Sequence, residues 1–345
     1  MIIHPAVIAL VSGSVLVSVM LMLASFFGVS VIRHWNLKSG SELQLNLERK
    51  TYLISTLVTY TLLFQLASFF LFIFTADHLH GLFVGAMCAA GTLNVNEYGY
   101  PALILKMTNF LLAGVWLIVN YVDNRGYDYP LIRKKYAMLL ILTPLVLSET
   151  VIQGLYFIGL KADLITSCCG SLFSGGGETA TSDLASLPRN PLKIAFFGSI
   201  AVTVMAGIFS LWKDRGRGVF FSLSSLITFF ISMAALVSFL SLYIYELPTH
   251  HCPFCMLQRE YRHIGYIFYI ALLAAAITGS SVGALAPFSR TDSLRNVIAA
   301  TRKKLVIAAL LSYLLFAAAA TYVMGSSPLI LEGYYTYKCC GTIRL

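Results

Sequence analysis

Two cysteines separated by two residues carry the sharpest chemical signal in this chain, in the run His250-His251-Cys252-Pro253-Phe254-Cys255-Met256-Leu257-Gln258-Arg259. That spacing suits a reversible disulfide, because the sulfurs can close within one turn. The run borders an apolar stretch, and the pattern predicts that Cys252 opens a helix with Pro253 at its first position, where a missing N–H costs nothing. The unpaired N–H groups and positive dipole end of that helix would favour the Cys252 thiolate. Arg259 follows Cys255 by four residues, which on a helix puts its guanidinium on the same face one turn deeper. There, flanked by His251 and Gln258, it would steer an electron-rich carbonyl of a lipid-soluble oxidant towards the inner sulfur. The same residues also suit a zinc site that recruits His250 and His251, or an inert structural disulfide.

Other candidates lie elsewhere in the chain. Cys168-Cys169 and Cys339-Cys340 are each followed by glycine, and Cys88 stands alone. Asp77, His78, His80 and Cys88 offer soft-metal ligands, or simply line an interfacial loop. Glu149 sits within an apolar stretch, where a carboxylate is costly and implies a proton path or an ion partner. Lys106 is the expected partner, and a protonated acid bonded to Ser148 or Gln153 is the alternative. The aromatic run Tyr334-Tyr335-Thr336-Tyr337 reads as an interfacial belt.

The elements that must position these groups are membrane helices. The chain has 345 residues, 58% hydrophobic and 11% charged, with a mean hydropathy of +0.79. Stretches long enough to cross a hydrocarbon layer of about 30 Å run over 5–32, 51–76, 102–122, 136–160, 192–212, 218–245, 258–285 and 305–324. The loops 33–50, 123–135, 213–217 and 286–304 hold 16 of the 24 Lys and Arg, all on one side if there are eight spans. The positive-inside rule makes that side cytoplasmic and both termini non-cytoplasmic. All seven cysteines then face the oxidising side. This topology accounts for most of the net charge of +9, so nucleic acid is not an expected partner, whereas membrane lipid is. There is no Walker loop, no GxGxxG opening a helix, no CxxCH, and no soluble segment long enough for a domain.

The chain also repeats itself. Arg133-Lys134-Lys135 and Arg302-Lys303-Lys304 each open an outward helix, and each helix is followed by Cys-Cys-Gly. The copies are offset by 169 positions at the basic clusters, 171 at Cys168 and Cys339, and 167 at Cys88 and Cys255. The expected architecture is all-α: a tandem pair of four-helix units in parallel orientation, 1–175 with a degenerate cysteine site and 190–345 with the CxxC. The Ser/Gly-rich stretch from Ser174 to Pro188 is the seam.

A CxxC at the exterior start of a membrane helix, with arginine four residues on, resembles the DsbB and vitamin K epoxide reductase group of quinone-linked thiol oxidoreductases. The resemblance covers about 218–345. It implies a four-helix bundle with Cys252 and Cys255 as the quinone-coupled pair and Arg259 on the quinone side. Cys339 and Cys340 would relay electrons from a soluble thioredoxin-like partner outside. Cys339 and Cys340 are adjacent rather than separated, and Thr92 stands where the first copy would match Arg259. The resulting expectation is a thiol–quinone oxidoreductase or electron-transfer subunit in a bacterial or archaeal plasma membrane. A soft-metal protein for copper, mercury or zinc, and a structural subunit of a membrane complex, are the alternatives.

Overall fold

The computed structural model describes residues 4–36, 41–126, 128–161, 187–212, 217–248, 250–289 and 291–329. Cys168, Cys169, Cys339 and Cys340 fall outside the described residues, as do Tyr334, Tyr335 and Tyr337. The described chain is helical, with no strand, and eight helices are long and apolar enough to cross a membrane. They are α1 (Pro5–His34), α2 (Glu42–His78), α3 (Gly99–Asp123), α4 (Ile132–Ile158), α5 (Arg189–Trp212), α6 (Arg217–Ala235, prolonged by a π turn over Leu236–Leu240 and a last turn to Tyr245), α7 (Gly265–Leu285) and α8 (Arg295–Ser326). Large apolar side chains point outward all along them; Phe26, Ile158, Ile194 and Trp212 are among the most exposed residues. In water such a surface would aggregate, and in lipid it is the solvated face. The protein is an integral membrane protein.

Several helices begin before their apolar stretch. α2 starts at Glu42 rather than near 51, one of its first N–H groups held by the Ser41 side chain, which accepts from the Gln44 N–H at 3.4 Å. α8 starts at Arg295 rather than near 305. Polar residues outside the bilayer extend a helix once the apolar segment has nucleated it. α7 departs in the other direction: it begins at Gly265, not at 258.

Packing follows two circuits. In the first, α1 packs on α2, α2 on α3, α3 on α4, and α4 closes on α1; in the second, α5 to α8 repeat that order. The circuits touch mainly through α3 and α7, the third helix of each. Small residues permit the close approaches. A Cβ on Gly114 of α3 would lie 2.6 Å from Ile277 of α7, and one on Gly279 would lie 2.0 Å from the Ser225 hydroxyl of α6. Two of the three buried apolar clusters lie away from the cysteines. The third joins both circuits at one end of the bundle and contains Cys88, Cys252 and Cys255 together with Phe72, Phe110, Phe239 and Phe268.

The first circuit also holds buried charge. Lys106 Nζ lies 2.7 Å from Glu149 Oε1, so the pairing expected of Glu149 forms. Gln65 and Asn109 side-chain amides donate to the other carboxylate oxygen at 2.7 and 2.6 Å, and Lys106 also donates to Ser68 Oγ at 2.9 Å. A second buried pair, Lys135 with Asp123 at 2.9 Å, sits between the adjoining ends of α3 and α4. Lys135 is therefore no freely solvated loop cation; Asn120 accepts a further bond from it at 3.0 Å.

Candidate thiol site

The site is built by two loops, one from each circuit. After α2 the chain makes a short helix, Ala89–Leu93, with Cys88 at its N-cap in an extended conformation. The Cys88 side chain does not cap this helix; Asp77, in the last turn of α2, accepts from the Ala89 N–H at 3.1 Å. Tyr156 of α4 donates to the Thr92 carbonyl at 3.2 Å, and Asn96 donates to the Tyr156 carbonyl at 3.0 Å. The turn into α3 closes tightly, since a Cβ on Gly99 would stand 2.0 Å from the Leu93 carbonyl oxygen. Backbone cannot yield as a flexible side chain does. Gly99→Ala should therefore displace the short helix and cost about 1–3 kcal/mol, and thermal unfolding in detergent together with the Cys88 alkylation rate would report both effects.

The CxxC loop runs from Glu246 to Ile264 and is held by phenols. Tyr245 donates to the Cys252 carbonyl and accepts from the Met256 N–H; Tyr269 of α7 donates to the Pro253 carbonyl at 2.6 Å. The His251 Nδ1–H donates to the Val237 carbonyl in the π turn at 3.0 Å. Three non-glycine residues, Glu246, Arg262 and His263, take left-handed backbone with φ of 54°, 53° and 56°. Each costs on the order of 1 kcal/mol, which the surrounding loop contacts must offset.

These loops meet. Cys88 Sγ lies 3.4 Å from Cys252 Sγ, and the sulfurs of Cys88, Cys252 and Cys255 all lie within 4.8 Å of one another. Exposure is 0%, 1% and 5% respectively, so solvent reaches Cys255 most easily. Gln258 fastens the loops from above, donating to Asp77 Oδ1 at 3.2 Å and to the Met87 carbonyl at 3.0 Å. The same aspartate thus supports the Cys88 helix and receives the CxxC loop.

Several expectations need correction. Cys252 and Pro253 do not begin a helix: Cys255–Leu257 and Arg259–Tyr261 are separate 3-10 turns, and α7 starts after them. No long helix dipole therefore acts on Cys252. Its thiol is instead pushed up from its ordinary range, first by hydrogen bonding with Cys255 and further by burial, while Cys88 acts in the opposite sense. The thiolate fraction at neutral pH is correspondingly small, and exchange at Cys252 should accelerate steadily as pH rises. Arg259 is exposed rather than one turn below Cys255, and Gln258 is engaged by the first circuit's loop. His250 and His251 are both shifted down by burial, which keeps them neutral.

The proposed mixed ligand set does not converge either. Among the described residues, the cluster of potential ligands contains the three sulfurs and no histidine. His78 stacks on Phe74, His80 Nδ1 meets the Asp77 carbonyl, and His250 packs edge-on against Tyr245. Cys88, placed by sequence in a degenerate copy, is the residue whose role changes most.

A cavity of about 300 Å³ opens nearby between the ends of α6 and α8. Tyr243, Tyr261, Ile264, Tyr322 and Val323 line it, with Glu246, Glu260 and Arg262 also on its walls. Neither the thiols nor Arg259 border it. Tyr261 links the two regions, packing edge-on at 4.6 Å against the Tyr245 ring that holds the Cys252 carbonyl.

No protein-family model, curated protein or solved structure matches this chain.

Proposed function

We propose that this is a membrane thiol oxidoreductase whose centre is a three-thiol relay, Cys88, Cys252 and Cys255. The observation that carries the reading is the 3.4 Å approach of Cys88 Sγ to Cys252 Sγ, within a cluster spanning no more than 4.8 Å. Cys252 and Cys255 oxidise together, losing two protons and two electrons to a membrane quinone, which becomes the quinol. The Cys88 thiolate then attacks Cys252 Sγ, forming a Cys88–Cys252 disulfide and releasing Cys255 as the leaving thiolate. Exchange of this kind needs a thiolate with access to the disulfide sulfur, and packing supplies that access here.

The positive-inside bias puts the thiols on the exterior face of a bacterial or archaeal plasma membrane. On that face Cys339 and Cys340 pass electrons from a soluble thioredoxin-like partner, while Cys168 and Cys169 belong to the first copy of a duplicated unit. The matching circuits α1–α4 and α5–α8 support that duplication. The cavity lined by Tyr261 offers space for an apolar carbonyl ligand, with Arg262 rather than Arg259 as its cation.

The test is quinone turnover by the purified protein with a dithiol as electron donor. Cys255→Ser should abolish quinone reduction with the unfolding transition unchanged, and Arg262→Ala should raise the KM for quinone several-fold. Full turnover in Cys255→Ser would reject the relay.

A further inference from the structure

Beyond the redox reading, we infer that the reduced centre binds one soft monovalent metal ion, Cu(I) or Ag(I), in a trigonal cradle of Cys88, Cys252 and Cys255. The argument starts from sulfur geometry. A metal–thiolate bond is about 2.3 Å, so three sulfurs around one ion in a plane stand about 4.0 Å apart. Cys88 to Cys252 stands at 3.4 Å and no pair lies beyond 4.8 Å, so that edge length falls inside the limit the cluster sets. Opening the Cys88–Cys252 edge from 3.4 Å to about 4.0 Å takes a shift of less than 1 Å.

The donor set selects the ion. The cluster offers sulfur alone, without a histidine ring or carboxylate among the described residues. The imidazole of His251, next in sequence to Cys252, is anchored through Nδ1 to the Val237 carbonyl. Zinc prefers four ligands, and three largely buried sulfurs leave one corner of its tetrahedron unfilled by the protein. A monovalent d10 ion is satisfied by two or three thiolates, and thiolate is the ligand class that favours Cu(I). Binding releases one proton from each thiol that ligates as thiolate, so a single positive charge with two thiolates and one retained thiol leaves a net charge of −1.

The third sulfur comes from the other circuit. Cys252 and Cys255 alone form a two-sulfur clip; Cys88 arrives on a loop positioned by Asp77 and locked by Gln258. A bound ion therefore clasps the two halves together, and it excludes the disulfide, because sulfurs donating to metal are not available to couple. The centre holds either an ion or a disulfide.

The experiment uses full-length protein in detergent, reduced and anaerobic, with Cys168, Cys169, Cys339 and Cys340 replaced by serine so that no other pair competes. Titration with Cu(I) held by a coloured chelator should transfer one ion per chain, and X-ray absorption should show three sulfurs at about 2.3 Å. Cys88→Ser should fall to two sulfurs with at least tenfold weaker binding, its thermal unfolding serving as the folding control. Unchanged affinity or three-sulfur coordination in Cys88→Ser overturns the inference, as does equally tight Zn(II) binding or no transfer at all. Quinone turnover is measured separately on protein with all seven cysteines. Lost turnover with retained Cu(I) binding counts only against the redox reading, and the converse only against this one.

Discussion

Replacing Lys106 with methionine should destabilise the protein by about 3–5 kcal/mol, the cost of stranding a buried carboxylate. Glu149 would keep the Gln65 and Asn109 amide donors but lose the only positive charge paired with it among the described residues. Glu149→Gln should cost a similar amount by stranding the ammonium. The double replacement should recover much of the sum, because neither charge then needs compensation. A coupling of at least about 2 kcal/mol is expected, inside the range seen for residues sharing one network. Denaturant titration in mixed micelles would measure all three variants, and single-variant losses below about 1 kcal/mol would show that the pair does not organise this circuit. The loss should extend to the thiols. The network ties α2, α3 and α4 together, and the far ends of these helices hold Asp77, Gly99 and Tyr156 around the Cys88 loop. Lys106→Met should therefore also speed alkylation of Cys88.

A second large effect concerns trapping. With Cys255→Ala, mild oxidation by diamide should form a Cys88–Cys252 disulfide in nearly every molecule, since the remaining sulfurs start 3.4 Å apart and the resolving thiol is gone. Diamide takes the two protons and two electrons that the thiols lose. In the otherwise native protein Cys255 attacks Cys252 and returns Cys88 to the thiol, so the bridge should be a minor species. A protease site introduced between Ser174 and Gly177 makes the result visible. After cleavage, the halves of Cys255→Ala should migrate as one band without reductant and as two with it. Separate halves under both conditions would mean that the two loops do not meet as described.

The membrane helices were legible because hydropathy is a local property, and eight apolar stretches sufficed to place eight spans. Glu149 and Lys106 were legible for a related reason: a charge within an apolar stretch must find a partner, and few were on offer. Lys135 was visible only as one of the basic residues gathered on one side, since nothing local shows that Asp123 packs against it. The CxxC was recognised as chemistry, but its setting was not. Apolar content from Met256 onwards suggested helix, whereas the left-handed Arg262 and His263 delay the helix to Gly265. Cys88 shows the real limit. Its neighbour Cys252 is 164 positions away, and only the docking of one circuit on the other brings them together. The repeat offset paired Cys88 with Cys255 as counterparts in separate copies, and that framing hid the possibility that counterparts share one site.

The π turn at Leu236–Leu240 suggests how such a centre can arise by small steps. A wide turn is how a helix absorbs a single inserted residue without rotating everything beyond it out of register. Here the widened turn carries the Val237 carbonyl that accepts the His251 imidazole. An insertion of that kind would leave the lipid-facing surface intact while creating a tether for the loop ahead of Cys252.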